Sequence, residues 1–308
     1  MTGQPVTATI TNAKEWLDQE SELQALRDAL QQRLDQLLPA GGERDRVGAA
    51  MREGALAPGK RIRPLLLLLA AYDLGCDKNH PGLIDLACAV EMVHAASLML
   101  DDIPCMDNAA LRRGRPTIHR QFGQDVAILA AVALLSNAFG VVAAADGLSD
   151  ACRTQAVAEL SAAVGLQGLV QGQFLDLNEG SASRSEEAIA DANEMKTSML
   201  FSATLQMAAL AANATPAIRQ KLGCFAHDLG QAFQLLDDLA DGCSGTGKDI
   251  NKDAGKSTLV ALLGAEAVRS RLHEHLHSAD RHLSVCQHGL ATRRFMHSWF
   301  SQQLATFS

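Results

Sequence analysis

Six aspartates in two clusters carry the clearest chemical signal of the chain. Asp101-Asp102-Ile103-Pro104-Cys105-Met106-Asp107 follows the apolar run Leu86 to Leu100, and Asp237-Asp238-Leu239-Ala240-Asp241 follows Leu229 to Leu236. Carboxylates this close repel one another and are costly to desolvate, so a cation is their natural complement. Asp237 and Asp241 stand one helical turn apart on one face, with Asp238 rotated aside. Pro104 cannot comfortably continue the helix that Asp101 and Asp102 close, so the chain can fold back and bring Asp107 round. A ligand set that is almost all carboxylate suits hard, hydrated Mg²⁺, which completes its shell with substrate phosphates. Cys105 is the lone soft atom nearby and does not suggest zinc.

The elements that must position these groups read as helices. Hydrophobic residues make up 47% of the 308, aromatics only 4%, and no long alternation of β-branched residues occurs. A first amphipathic helix begins near Ala13 and ends at Pro39-Ala40-Gly41-Gly42. Ala57-Pro58-Gly59 is a turn, Pro64 suits the first turn of the next helix, and Asn79-His80-Pro81-Gly82 precedes the helix that ends at Asp102. Further helices are expected over 124–146, 150–178, 185–214 and 216–241, then a flexible loop from Gly242 to Gly247 and shorter closing helices. No interdomain linker or repeat interrupts this, so one all-α domain spanning 1–308 is expected, with 1–12 disordered or loosely attached. The runs Leu65 to Ala71 and Val126 to Leu135 are too short to span a bilayer and read as buried helices.

The chain carries a net charge of −8, which argues against a general nucleic-acid binder. Its basic residues nonetheless gather beside the acidic clusters, in Lys60-Arg61-Ile62-Arg63, Arg112-Arg113-Gly114-Arg115, Lys196-Thr197 and Lys248 to Lys256. Such an arrangement can bind two polyphosphates, one through metal and one directly. Seven scattered cysteines without a Cys-x-x-Cys pair suit reduced thiols in a cytosol, and the polar start of the chain carries no signal-peptide pattern.

In this order and spacing, the segments after about residue 30 resemble the trans-isoprenyl diphosphate synthases, closest to bacterial geranylgeranyl diphosphate synthases of carotenoid pathways. The resemblance implies an all-helical fold around a deep apolar cavity with both aspartate motifs at its mouth, usually as a homodimer. It implies a cytoplasmic enzyme that condenses isopentenyl diphosphate with an allylic diphosphate (dimethylallyl, geranyl or farnesyl), with three Mg²⁺ ions that Mn²⁺ can replace. Asp101, Asp107 and Asp237 would be direct metal ligands. Asp102, Asp238 and Asp241 would support metal-bound water, Asp241 standing also among the metal positions. Lys60, Arg63, His94 and Arg113 match the isopentenyl diphosphate site, and Arg112, Lys196 and Lys248 the allylic site. The loop after Asp241 is short, so Lys256 competes with Lys248, which is favoured. Thr197, Gln234 and Gln173 match positions lining the reacting carbons. Ala96 and Ser97, five and four residues before Asp101, leave the upper cavity wall small, with Met92 or Val93 as a deeper floor. That pattern resembles enzymes of twenty-carbon product, whose release implies transient membrane contact but no transmembrane segment.

Other signals point elsewhere and are weaker. His273-Glu274-His275-Leu276-His277 matches a zinc-protease pattern but lacks a third ligand downstream, and His227-Asp228 reads as an ordinary surface pair. A lone histidine on an apolar helix, as His94 is, usually serves the core. A farnesyl diphosphate synthase, a class I terpene cyclase or an inactive subunit of a heteromeric synthase are the alternatives. The all-aspartate second motif and the presence of Lys60, Arg63 and Arg113 argue against the last two.

Overall fold

Two helices that are apolar on every side become the centre of the molecule, because no face of either can be left to water. One is α3 (Ile62–Asp73), whose residues Leu65 to Ala71 are all buried; the other is α4 (Pro81–Asp101), buried from Leu86 through Val93 and again at Ala95 and Ala96. Pro81 opens α4, where its missing N–H costs nothing, and the His80 ring accepts from the Gly82 N–H at 3.2 Å. The computed structural model describes residues 13–40, 42, 44–179, 185–241, 258–285 and 290–305. The expected loose segment 1–12 and the loop from Gly242 to Gly247, with Lys248 and Lys256 beyond it, lie outside the described residues.

Around this pair stand α1 (Ala13–Leu37), α2 (Arg46–Ala55), α5 (Ile118–Phe122), α6 (Gln124–Ala143), α7 (Asp150–Val164), α8 (Leu169–Glu179), α9 (Glu186–Asn193), α10 (Met199–Ala211), α11 (Pro216–Asp241), α12 (Leu259–Leu263), α13 (Ala265–His282) and α14 (Ala291–Ala305). α4 packs on α6, α3, α1, α2 and α10; α10 bridges to α7 and α11; α13 backs α11, and α14 lies over α3. The buried face of α6 is built from Ala127, Ala130, Ala131, Leu134 and Ala138, small side chains that let two long helices approach closely.

Four expectations need correction. The helix expected over 150–178 is two helices, because Gly165 turns extended and Gly168 passes so close to Ala163 that a Cβ would stand 2.7 Å from its carbonyl carbon. The helix expected over 185–214 is interrupted by a π turn at Glu194–Ser198, in which Met199 N–H bonds the Glu194 carbonyl five residues back. A two-strand hairpin, β1 (Leu111–Arg112) with β2 (Arg115–Pro116), interrupts the helices; its turn places Arg113 and Gly114 at positive φ. Finally, the run from Val126 is only part of α6, so α4 and α6 are both long and apolar enough to cross a bilayer by length and composition. α4 is mostly buried inside the fold, whereas α6 keeps one apolar side exposed at Leu129 and Val132.

The turn before α3 is held by a buried ion pair. Arg61, in the left-handed region at φ 51°, bonds Glu91 of α4 and donates to Gln31 Oε1 at 3.0 Å and to the Ala57 carbonyl at 2.9 Å. Both side chains are almost fully buried. Removing one partner leaves a buried charge without compensation, so Glu91→Ala is expected to cost about 3–5 kcal/mol in denaturant unfolding. Glu91→Gln, which keeps an acceptor, should cost less; equal stability of Glu91→Ala and wild type would show that the pair does not hold this turn.

Candidate active site

The first acidic cluster folds back as its proline requires. α4 ends at Asp101, and Asp107 N–H then returns to the Asp101 carbonyl at 2.9 Å, Asn108 to Ile103 at 3.1 Å and Ala109 to Asp102 at 3.1 Å. Asn108 takes the left-handed conformation that closes this loop. The three carboxylates have different surroundings. Asp102 is buried and accepts from Arg112 Nε at 3.1 Å and Nη2 at 2.5 Å, a forked pair in which the arginine expected at the allylic diphosphate is already engaged. Asp101 is pushed up to about 6, by burial first; Lys196 pulls it down, and Asp107 and Asp102 raise it further. A carboxyl raised by burial and by two neighbouring carboxylates is one that a further cation would relieve.

Across from it lies the π turn. Lys196 donates to Asp176 Oδ2 of α8 at 2.6 Å. Thr197 donates to Gln234 Oε1 of α11 at 3.2 Å, and Gln234 Nε2 donates to Asp238 Oδ1 at 3.1 Å. Thr197, Gln234 and Asp238 thus form one hydrogen-bonded chain. Asp238 is buried while Asp237, on the same helix, is exposed. Asp241 ends α11; its side chain lies outside the described residues. Gln173, on α8, has its amide 3.8 Å from Met106 sulfur of the first cluster's loop, and its buried Oε1 has no hydrogen-bond partner. Among the described residues no three metal-capable side chains lie close enough to enclose a metal. Mg²⁺ does not require that, since it binds through one or two carboxylates with water and phosphate oxygens, and exposed Asp237 and buried Asp101 fit such a donor set.

A second site gathers cations. Arg63 makes no salt bridge; its buried Nε has no hydrogen-bond partner, and its guanidinium lies 4.3 Å from the Phe201 ring centroid. Burial lowers it to about 10, with Glu91 opposing and Arg113 adding to the fall. Arg113 reaches back to donate to the Pro58 carbonyl at 2.8 Å. His94 is held well below its usual range by burial and by Arg63, Arg113 and Arg112, so its ring is neutral. Lys60 donates to Gln303 and sits 5.1 Å over Trp299, both on α14. Desolvated like charges at this density are what a diphosphate would neutralise.

Beneath these cations lies an aromatic cluster that sequence reasoning missed. Phe233 stacks on Trp299 at 4.3 Å and meets Phe201 and Phe300 at 4.9 and 5.2 Å. Only the rarity of aromatics in the chain hinted that any gathering of them matters. Asp176 was also missed as a partner for Lys196, although it ends the run Gly172-Gln173-Phe174-Leu175-Asp176. On α4, Met92, Val93 and Ala96 are fully buried, and Met92 lies 3.8 Å from Asn137 of α6. Ser97, whose hydroxyl donates to the His94 carbonyl at 2.9 Å, and Val93 share the Asp101 face by four-residue spacing, whereas Ala96 is rotated aside.

An all-α fold that places two aspartate clusters and two groups of cations around one π turn defines a class, the prenyl diphosphate synthases. The polyprenyl synthetase family model matches residues 45–289, and the chain belongs to that family. It is 64% identical over 293 residues to a geranylgeranyl diphosphate synthase of Pantoea ananas, covering 95% of this chain and 97% of the relative. It is 56% identical to one from Pseudescherichia vulneris, covering 97% and 98%. Among solved structures it matches a geranyltransferase of Helicobacter pylori complexed with magnesium and isoprenyl diphosphate, at TM-score 0.82 and 27% identity, over 97% of this chain and 99% of that one.

Asp101→Asn is expected to lower turnover by at least about 10²-fold, as loss of a group that stabilises developing charge does. Folding should not suffer. A raised carboxyl favours the fold below its unfolded value, near 3.8, and loses that contribution as pH rises through about 6. The metal-free variant should therefore melt higher than wild type at pH 8, with the gap closing as pH falls through 6. A variant that melts lower at pH 8 would contradict the burial cost of Asp101.

Proposed function

We propose that this chain is a Mg²⁺-dependent geranylgeranyl diphosphate synthase, condensing isopentenyl diphosphate with allylic diphosphates up to farnesyl. The observation that carries the reading is the juxtaposition at the π turn. Asp101 faces Lys196, Thr197 is bonded through Gln234 to the second cluster, and Arg63, Arg113 and Lys60 form a separate cationic site. The two bacterial relatives named above support the choice of product. Magnesium bound at Asp101, Asp107 and Asp237 would supply Lewis-acid neutralisation of the leaving diphosphate. Lys196 adds positive charge beside the same leaving group and contributes as the allylic C–O bond ionises. Arg63, Arg113 and Lys60 hold the unreactive diphosphate of the second substrate and so set its affinity. Neutral His94 can donate a hydrogen bond there without adding to the crowding of charge. The apolar wall of α4 keeps water from the allylic cation.

Purified protein with Mg²⁺, isopentenyl diphosphate and farnesyl diphosphate should yield mainly the twenty-carbon product by chromatography. Ser97→Tyr and Ala96→Tyr should shift it to fifteen carbons from shorter starters, because either ring fills the path beside α4. Folded, active variants that both still release twenty carbons would place the growing chain elsewhere, and an inactive wild type would overturn the assignment.

The same reading includes a cytosolic homodimer. The exposed Leu129 and Val132 on α6, with Leu166, Val170 and Phe174 at and along α8, support a self-complementary apolar interface, and the five described cysteines are all unpaired. Val132→Lys combined with Leu129→Lys should convert a sedimenting dimer into a monomer; a persistent dimer would place the interface on another face.

A further inference from the structure

The π turn that presents Lys196 and Thr197 is a wider, less favourable helical turn, and something must hold it. Its first residue does so twice. The Glu194 carbonyl accepts the five-residue bond from Met199 that defines the turn, and its carboxylate meets His227 Nδ1 of α11 at 2.6 Å and Gln231 Nε2 at 3.5 Å. Gln231 also donates to the Ala190 carbonyl at 3.1 Å, tying the end of α9 to the same point. The turn is gripped by backbone on both flanks. A Cβ on Gly172 of α8 would stand 2.7 Å from Lys196 Cα, and one on Gly230 of α11 would stand 2.5 Å from Ser198 Cα. With α8 and α11 pressed this closely against the widened turn, its register depends on where Glu194 is fixed.

We propose that Glu194 and His227 are positioning residues for the allylic half of the reaction, a clamp that keeps the π turn in register so that Lys196 and Thr197 face the two aspartate clusters. Neither touches substrate. His227 lies two turns before Gln234 along the same face of α11 and lines a hollow of about 470 Å³ with Cys224, Asp228, Ser278 and His282. The other charged groups nearby are engaged with one another. His275 and His282 of α13 meet Asp228 at 2.9 and 3.6 Å, and Glu186 of α9 pairs with Arg271 of α13. His227 is raised above its usual value chiefly by Glu194, and Glu194 is lowered by His227 against the opposing effect of burial. The charged pair is therefore complete between about 4.5 and 6.5, and is lost as pH rises through the raised value of His227 or falls through the lowered value of Glu194.

The inference rests on the prenyl-transfer reading for its kinetic arm, so a second readout is independent of activity. Hydrogen exchange of the segment 194–199 should quicken in Glu194→Gln and in His227→Gln, with global melting little changed. In both variants kcat should fall about ten- to a hundredfold, the scale of a small displacement of a catalytic group, while KM for isopentenyl diphosphate stays within about twofold. The double variant should be no worse than either single one, and His227→Lys, which keeps a cation beside Glu194, should restore much of kcat and hold it to higher pH than histidine does. Unchanged exchange at 194–199 would overturn the clamp, and so would faster exchange with wild-type kcat. An equal rise in KM for both substrates would also overturn it, by showing general loosening. Wild-type protein without condensation activity would instead count against the functional reading, and that is seen before any variant is compared.

Discussion

Asp101 is a carboxylate at the C-terminal end of the long, largely buried helix α4, and the rest of the site answers the cost of keeping it there. Burial drives it toward protonation, Asp107 and Asp102 make matters worse, and Lys196 and Arg112 oppose them. Such a site is poised for a cation and for the anion that travels with it. The structure keeps that tension from spreading. Asp102 is neutralised by Arg112 and Asp238 is bonded by Gln234, so the unmet demand is concentrated at the carboxylates a metal would reach.

A matching tension sits a short distance away with the opposite sign. Arg63 is desolvated over Phe201, and Lys60 lies over Trp299, each against an aromatic face. Aromatic rings can orient a cation without satisfying its hydrogen-bonding capacity, so the guanidinium remains available to a diphosphate. Two sites of opposite charge are thus joined through α4 and α11.

Between them, small residues do what large ones cannot. Gly172 and Gly230 allow backbone to press on the π turn from both sides, and the alanines of α6 bring that helix close to α4. Close approach leaves little room for adjustment, which is why a local irregularity such as the π turn can persist. An extra residue in one turn rotates everything that follows, and only tight flanking walls make one rotation preferable to another.

Much of this was legible in the residues themselves. Aspartate spacing after an apolar run, proline three residues past the first aspartate, and the basic segments flanking each cluster are local facts, and local chemistry decides what they imply. Helix boundaries at Pro81, Pro216 and near Ala13 follow from the same kind of reasoning. Other features depend on what packs against what. Gly165 and Gly168 could have sat inside a continuous helix, and only their neighbours break it. No pattern in the residues marks Glu194 through Ser198 as a π turn, because the walls that hold it come from α8 and α11, more than twenty and thirty residues away. The aromatic cluster likewise joins Phe201, Phe233 and Trp299 from three helices. Residue type and spacing determined which groups could bind metal and phosphate; tertiary packing decided which of them are paired, which are left wanting a partner, and how the turn between them is held, since burial and contact are properties of the folded whole.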